Sequence, residues 1–590
     1  MSGGLIPRRA PRRTGHACAA LGLFLCAGVA RAQVAPLQSP DAGADQVLER
    51  EQLLAFEPLS LEDVVRHLIG VAVSRRGAVG SLEYINIAGA TSGHVMLSLD
   101  GIDLAEPELA FPRLYALPLA AVERIQVFRS TVPARIEIWT RRSQAKASAS
   151  EIDLGRGDVE TRVRRVQFLL PPRAWWVGMR YDELLRGRDD FRSAPTTQAP
   201  LSFGAYDGRG RSLVFGFERE GGERVRVFVA DAFDNAHGSY ESLDETTGSS
   251  RVLGSVRWAK PLGEWDLVLD LSQQAWERVR GFASGTQNIT ETQGRFGVDL
   301  VHDASAGLRG ALRLRAADVE GERIGTPDTT GARYQRYDAE VHLGTSGPIG
   351  WNVWAGMHRR NDLRDEWSAR AQLEWRRAAW SAALQGGRGV SFAGWGETRT
   401  AGDDGVRAGT YANAALRRKG EMSSFALAAT AKHFEALGDA TALLFPELGR
   451  GPEEVAALFT DAGLHVLGGA WPWRVDARVS WLPEVRGDRG GLPDVQVEMN
   501  TSLSAAKLFQ SDLQVTLRAR GRYETERVFT GAVALASYAA LDLRLDFRVL
   551  ERMLIYWDVQ NAADTVYEIH PGVEVPGRAS LVGVRVDLLD

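Results

Sequence analysis

The sequence is poor in cysteine: it has 590 residues and only two Cys, Cys18 and Cys26. It also lacks any apolar run of about 18 residues, which is the length that a membrane-spanning helix needs. The motifs H-E-x-x-H and G-x-S-x-G, a Walker loop and paired-Cys metal spacing are all missing. We therefore predict no catalytic residue, no metal site and no cofactor. The formal net charge of −5 gives no reason to expect a nucleic-acid partner.

Residues 1–32 have the pattern of a secretory signal peptide. Four Arg within residues 8–13 form a basic region, and a short apolar stretch, Ala17–Ala30, follows it. Ala30-Arg31-Ala32 then matches an A-x-A cleavage site. Both Cys lie in this leader, so we predict an exported mature chain that has no disulfide bonds.

From about residue 145 to the end, apolar and polar residues alternate in segments of 10–14 residues. One example is Leu541, Leu543, Leu545, Phe547 and Val549, which alternate with Asp542, Arg544, Asp546 and Arg548. Period two places each set on one face of a strand. A soluble sandwich would expose the polar face to water, whereas an outer-membrane barrel turns the apolar face to lipid. The segment length favours the barrel, because tilted membrane strands need about 9–11 residues.

Short and long links between these segments alternate, as they do in outer-membrane barrels. The short links are at 170–172, 220–222, 260–263, 345–348 and 418–420, and the long ones are at 185–211, 234–249, 321–332, 391–405 and 434–461. Eight Trp lie beside the short links and indicate a belt at one membrane interface: Trp175, Trp258, Trp265, Trp351, Trp375, Trp380, Trp471 and Trp473. We predict an all-β membrane protein with about 22 antiparallel transmembrane strands. On this interpretation Leu543→Arg should impair insertion, and Arg544→Leu, on a solvated luminal face, should not.

Residues 45–143 have the pattern of a compact α+β unit. Ser60-Leu61-Glu62-Asp63 resembles a helix capping box. Leu61, Val64, Val65 and Leu68 then mark one helical face. Tyr84–Ile87 and Val95–Leu99 read as strands, the second of which ends in an Asp100-Gly101 turn. Pro118 is predicted to open a short helix before the strand Arg124–Phe128.

The same stretch resembles the plug of TonB-dependent outer-membrane receptors. Ser60–Val71 looks like the first plug helix, Ile87–Ile102 like I-R-G … V-L-x-L-x-D-G-V, and Leu117–Val127 like I-P-x-x-x-V-E-R-I-E-V. The plug motif residues are Gly70, Gly89, Asp100, Gly101, Glu123 and Arg124. The carboxyl end is similar to the family's terminal barrel motif at Asn561, Asp564, Tyr567, Gly577, Arg578, Gly583 and Leu588. In size the chain is nearest the short branch that takes cobalamin and small siderophores.

Four departures from the family pattern stand out. Ala88 replaces the plug Arg, and Ser130–Arg135 is much shorter than the usual glycine-rich hairpin. A TonB box, which would add a strand to the energising partner, is not evident, and Gln46-Val47-Leu48 is at best a remnant. The chain also ends in Leu588-Leu589-Asp590 rather than in an aromatic residue.

The resemblance implies four segments: a signal peptide at 1–32, a periplasmic segment at 33–57, a plug domain at 58–143 and a transmembrane barrel at 144–590. It implies an outer-membrane receptor of a Gram-negative bacterium that imports a scarce ligand, with TonB, outer-membrane lipid, the β-barrel assembly machinery and a small molecule as partners. Two plug loops would face the ligand, and their charged residues are Arg75, Arg76, Glu106, Glu108 and Arg113. The alternative is a non-energised barrel, either a passive channel or a binding scaffold, with a residual plug.

Overall fold

The computed structural model describes residues 44–589 with gaps. The gaps are 54, 56–59, 76–82, 92–93, 106–121, 141–148, 159, 171–174, 187–205, 220–221, 238–245, 283–284, 304–306, 326–329, 346, 393, 395–404, 436–451, 467–470, 509–511, 530–532, 551, 572 and 576. Among the described residues, no helix is long and apolar enough to cross a membrane.

The amino-terminal part forms an α+β unit. Its elements are β1 (Gln46–Glu49), α1 (Arg50–Leu53), α2 (Leu61–Arg66), β2 (Val71–Arg75), β3 (Glu83–Ile87), β4 (Val95–Leu99), β5 (Ile102–Asp103), β6 (Val122–Phe128) and β7 (Ala134–Thr140). Five strands form one sheet in the order β1-β6-β7-β4-β5, while β2 and β3 pair separately. Strands β4 and β7 are parallel, and the other pairs of this sheet are antiparallel.

Local sequence signals account for these elements. Ser60 caps α2, since its side chain accepts from the Asp63 amide at 3.3 Å and the Asp63 carboxylate accepts from the Ser60 amide at 3.1 Å. The predicted apolar face of this helix, residues 61, 64, 65 and 68, is buried. Asp100 and Gly101 both have positive φ and turn the chain from β4 into β5. Pro118 and its predicted helix lie outside the described residues.

The plug sheet begins earlier than the predicted boundary at residue 58. Strand β1 pairs antiparallel with β6, from Gln46↔Val127 to Glu49↔Arg124. Leu48 is buried in the same apolar cluster as the rest of the plug. The residues considered as a TonB-box remnant are therefore the edge strand of the plug.

Twenty-two strands form a closed antiparallel barrel, as predicted. They are β8 (Ala149–Gly157), β9 (Arg162–Leu169), β10 (Trp175–Arg186), β11 (Tyr206–Glu218), β12 (Arg224–His237), β13 (Thr246–Leu262), β14 (Trp265–Phe282), β15 (Gly285–Asp303), β16 (Leu308–Gly325), β17 (Thr330–Thr345), β18 (Ile349–Arg360), β19 (Glu366–Arg377), β20 (Trp380–Phe392), β21 (Val406–Lys419), β22 (Ser423–Phe434), β23 (Pro452–Val466), β24 (Trp473–Gly487), β25 (Val495–Leu508), β26 (Leu513–Glu524), β29 (Tyr538–Val549), β30 (Met553–Gln560) and β33 (Ala579–Leu589). The pairing of β33 with β8 closes the ring, so no strand edge is left free. Two small hairpins, β27 (Arg527–Val528) with β28 (Ala534–Leu535) and β31 (Glu568–His570) with β32 (Val573–Glu574), lie between barrel strands.

The two ends of the barrel differ in the length of the links between strands. At one end, here the short-link end, consecutive strands are separated by two to six residues. At the other, the long-link end, the separations reach 13–19 residues at 187–205, 393–405, 435–451, 525–537 and 561–578. Seven of the eight predicted belt Trp lie near the short-link end with exposed rings: Trp175, Trp265, Trp351, Trp375, Trp380, Trp471 and Trp473.

One predicted long link is wrong. Gly321 and Ala332 are directly paired in the β16–β17 ladder, and only residues 326–329 separate the two strands. Strands β13–β17 have 16–19 residues, whereas β18–β20 have 12–13. A tilted strand needs about 9–11 residues to cross the bilayer, so the longer strands continue as paired ribbon beyond it.

The luminal face of β29 is a buried ion-pair network. Arg544 is 1% exposed, its Nε lies 2.7 Å from Asp546 Oδ1, and its guanidinium lies 4.7 Å from the centre of the Tyr556 ring. Asp558 lies 3.9 Å from the same guanidinium. The predicted faces are confirmed. Arg544→Leu keeps lipid contact unchanged but removes a cation from two buried carboxylates, so we expect it to lower the stability of the folded barrel; its effect on insertion stays a prediction.

Candidate ligand path between plug and barrel wall

Five charged residues of the two predicted plug loops cannot be assembled into one site. Arg75 ends β2, and its side chain is not among those described. Arg76, Glu106, Glu108 and Arg113 lie outside the described residues. Their role in ligand binding stays a prediction.

Two plug-motif glycines lie against the barrel wall. A Cβ on Gly70 would be 2.6 Å from Phe459 Cε1, and a Cβ on Gly89 would be 2.3 Å from Val455 Cγ2. Both glycines also have positive φ, +76° and +87°. The Gly70 amide donates to Gln496 Oε1 of β25 at 2.8 Å. Only a residue without a side chain lets the plug backbone approach β23 and β25 this closely.

Asp100 connects the plug to the opposite part of the wall. Its carboxylate accepts from the Thr140 amide at 3.1 Å and from the Thr140 hydroxyl at 2.7 Å. Arg226 of β12 lies 2.7 Å from the same carboxylate. Nearby, Gln274 of β14 donates to the Asp103 carbonyl at 2.8 Å. The Asp100-Gly101 turn is thus both a hairpin and an anchor.

The beginning of the plug sheet is held at the short-link end. Arg417, near the end of β21, donates to the Ala44 carbonyl at 2.7 Å. The Asp45 carboxylate accepts from the Ser130 amide at 2.7 Å and from its hydroxyl. The short β6–β7 link, which the sequence marks as trimmed, therefore has a function in fixing the first plug residues. Among the other motif residues, Arg124 is the β1–β6 pairing partner of Glu49, and Glu123 precedes it in β6.

The terminal barrel motif forms a folded corner at the long-link end. Asn561 bonds Thr565 through both amide atoms, at 2.7 and 3.0 Å, and Asp564 accepts from the Arg578 amide at 2.7 Å. A Cβ on Gly577 would lie 2.4 Å from Asp564 Oδ1. Tyr567 stacks on Tyr538 with ring centres 4.0 Å apart.

Two further motif residues lie in the last strand. A Cβ on Gly583 would lie 2.3 Å from the ring of the fully buried Tyr556. Leu588 is 45% exposed and faces away from the lumen. These positions carry structural constraints that the sequence resemblance alone does not explain.

A first cavity of about 330 Å³ lies between α1, α2 and the wall from β24 to β30. Each Arg that lines it has a carboxylate partner: Arg66 with Glu62, Arg474 with Asp476, Arg478 with Glu498, Arg518 with Asp546, Arg520 with Asp542, and Arg522 with Glu524. His67 lines the same cavity, and burial and the neighbouring Arg520 and Arg522 lower its pKa well below the ordinary value. Its imidazole is therefore neutral at neutral pH. Each Arg charge in this cavity is paired with a carboxylate, so the cavity offers no unpaired Arg to an anionic ligand.

A second cavity of about 430 Å³ lies between the plug sheet and the wall from β12 to β21. Its plug side includes Ser98, Arg135 and Trp139, and its barrel side is rich in Arg. Trp354 of β18 is stacked between the His342 ring, 4.6 Å away, and the Arg370 guanidinium, 3.8 Å away. Sequence reasoning missed these luminal residues. Period-two alternation assigns them to the lumen, but it does not indicate which of the many luminal charges lack partners.

No cluster of metal-binding type is seen in the part of the chain that the structure describes. It contains no group of three or more His, Cys, Asp or Glu that could hold a metal ion. His433 lies 3.5 Å from Glu454, and His465 lies 3.6 Å from Asp476, as separate pairs.

Comparison with known proteins agrees with this architecture. The TonB-dependent receptor plug domain family matches residues 40–137. The vitamin B12 transporter BtuB of Photobacterium profundum is 28% identical over 85 residues, which span 14% of this chain and 14% of that protein.

Solved structures extend the likeness to the whole fold. The ferric yersiniabactin uptake receptor FyuA of Yersinia pestis has a TM-score of 0.73 at 14% identity, covering 92% of this chain and 98% of that one. The ferric enterobactin receptor PfeA of Pseudomonas aeruginosa has a TM-score of 0.74 at 11% identity, covering 94% of this chain and 100% of that one. Residues 40–137 are thus similar to the plug of TonB-dependent receptors, and the closed, plugged 22-strand barrel has the fold of the solved receptors.

Proposed function

We propose that the protein is an outer-membrane receptor of a Gram-negative bacterium that binds a scarce external small molecule and imports it through the plugged barrel, energised by TonB. It acts as a transporter and not as an enzyme. Its relatives are named as transporters or receptors of vitamin B12, ferric yersiniabactin, ferric enterobactin and copper. An iron chelate or a cobalamin is the ligand class that this kinship favours.

The observation that carries this proposal is the way in which the plug spans the lumen. Gly89 contacts Val455 on β23, and Asp100 is paired with Arg226 on β12. Ten strands lie between β12 and β23 on either side of the ring of 22, so these contacts lie on opposite walls. A plug held across the full diameter blocks free diffusion, and import requires work that displaces it.

The position of the first described residues indicates where this work is applied. Ala44 is bonded to Arg417 at the short-link end, which in outer-membrane barrels faces the periplasm. Residues 33–43 precede it and are the segment that we propose the periplasmic domain of TonB captures. Deleting residues 33–50 would also remove β1, so the deletion that tests capture stops at residue 43.

The test is co-purification of the full chain with the periplasmic domain of TonB, alongside a variant that lacks residues 33–43. We expect capture by the full chain and loss of capture in the deletion variant, with both barrels folded. Capture by neither form would favour the alternative of a non-energised barrel, to which the short β6–β7 link also points. Growth under iron limitation and under cobalamin limitation, with and without the protein, separates the two ligand classes.

A further inference from the structure

Three luminal arginines of the second cavity have no ion-pair partner. Nine Arg line this cavity, and six of them have a carboxylate oxygen within 4.0 Å. Arg295, Arg313 and Arg370 have none among the residues that the structure describes. Arg295 Nη1 and Arg313 Nε are also buried without a hydrogen-bond partner there. In the first cavity, by contrast, every Arg that lines it has an ion pair. The Arg side chains without an ion pair are therefore found in the second cavity.

The strand register places these arginines on successive luminal rows. Arg295 shares a row with Arg336 through Ala317, and Arg315 follows one row nearer the short-link end. Arg313 occupies the next row, and Arg370 the row after it, with His342 and Trp354. At about 3.3 Å per residue, the six residues between the first and last rows span about 20 Å along the strands. The five arginines, here called the arginine ladder, therefore descend the wall beside the plug.

The Arg370 side chain is held in place without a carboxylate. Its guanidinium lies over Trp354, whose other face is stacked on His342 at an interplanar angle of 6°. A cation–π contact of this kind fixes the planar fork and leaves its N–H edges available. Such a fork matches the two oxygens of a carboxylate or a phosphate.

Acidic residues in the cavity do not cancel the ladder. Seven carboxylates line it, and five of them are ion-paired, so in the described residues two carboxylates without an ion pair stand against three such Arg. Two of the seven, Asp103 and Glu340, have no ion pair in the described residues, and Glu340 is the cross-strand neighbour of Arg313. The Glu340 side chain does not reach Arg313 within 4.0 Å, although the two residues are paired in register.

We propose that the second cavity binds an oxyanion, a carboxylate or phosphate group, of the imported solute, and that the arginine ladder guides this group past the plug. The proposal rests on the proposed import function and adds the chemical class of the solute. The paired cavity on the other side of the plug offers no comparable site, so the path runs along β15–β19.

The test is isothermal titration of the purified full chain in detergent with citrate, with pyrophosphate and, as a cationic control, with spermidine. We expect citrate or pyrophosphate to bind and spermidine not to bind. The variant Arg313→Gln/Arg370→Gln should bind the anion at least about tenfold more weakly, which corresponds to about 1.4 kcal/mol. Arg474→Gln is the matched control in the first cavity and should bind as the unmodified chain does. Arg370→Lys keeps the charge but loses the planar guanidinium. Its affinity for the anion should lie between those of the unmodified chain and the double variant.

The titration can contradict the proposed anion site in three ways. No anion binding at millimolar concentration, equal binding by the double variant, or a preference for spermidine would overturn it. Binding of citrate alone or of pyrophosphate alone identifies the oxyanion. The measurement needs no energising partner, so anion binding without TonB capture would refute the import mechanism and leave the site intact.

Discussion

Gly89 offers a direct test of how tightly the plug fits the barrel. The change Gly89→Ala adds one methyl group at a point where the plug backbone meets Val455 of β23. The new Cβ would lie 2.3 Å from Val455 Cγ2 and 3.0 Å from Val455 Cβ, far inside van der Waals contact. The backbone φ of +87° is also one that L side chains rarely adopt.

The expected cost has two parts. A side chain in the left-handed region costs about 1–2 kcal/mol, and overpacking by a methyl group costs about 1–3 kcal/mol. Their sum, about 2–5 kcal/mol, falls on the docked plug and not on the barrel, whose strands are untouched. Since about 1.4 kcal/mol is a factor of ten in an equilibrium, the open plug should be populated at least about thirtyfold more often.

The assay is limited proteolysis of the purified chain, in which the rate of plug cleavage reports the population of the open form. Gly101→Ala is the matched control: its φ is also +87°, but nothing lies within 4 Å of its Cβ. It should show the backbone cost alone. The double variant Gly89→Ala/Val455→Ala removes the clash and should be cleaved more slowly than Gly89→Ala. If Gly89→Ala and Gly101→Ala were cleaved at the same rate, the close contact between plug and wall would be refuted.

Three further outcomes are expected. Leu543→Arg should lower the amount of folded protein in the membrane, measured by heat modifiability, because a lipid-facing Arg at mid-bilayer costs about 2–4 kcal/mol. Ser502→Arg is the control: it adds the same charge beside a luminal cavity and should insert normally. Burial lowers the pKa of His94 to about 3, so the unfolded plug takes up the proton first and plug stability falls below about pH 6.5, with a contribution from His94 of about 2 kcal/mol at pH 5. Urea unfolding of the plug should show this loss, and His94→Leu should remove the contribution of His94 and leave that of the buried His67. Gly577→Ala should disturb the Asp564 corner at the long-link end and speed proteolysis there without changing plug cleavage, and an equal effect on both regions would contradict this assignment.

The barrel could be predicted from sequence because its signal is local and repeated. Each strand shows alternation over its own residues, as in Leu541 to Val549, and the register of a closed sheet follows from many such strands. The capping box at Ser60 and the Asp100-Gly101 turn are likewise decided by neighbours in the chain. Strand ends carried less information, since the β16–β17 ribbon continues through Gly321 and Ala332 with polar residues on both faces.

The candidate site could not be predicted in the same way, because its character depends on contacts between distant residues. Arg544 and Arg370 are both luminal by period, but one is buried between Asp546 and Asp558 and the other lies on Trp354 without a carboxylate. Likewise, β1 reads as a short polar-apolar segment until its pairing with β6 is known. Whether a luminal Arg has a carboxylate partner depends on the neighbouring strands of the folded barrel, and it cannot be predicted from the sequence of one strand.

Among the described residues, the strands end at unequal heights at the long-link end. The last β17–β18 pair is Arg336↔Arg360, and β17 begins at Thr330, so six residues rise above the neighbouring strand. At about 3.3 Å per residue this step is about 20 Å along the strand. Among the described residues, the wall is therefore taller at β13–β17 than at β18–β20, and the shorter part of the wall carries Trp354 and Arg370.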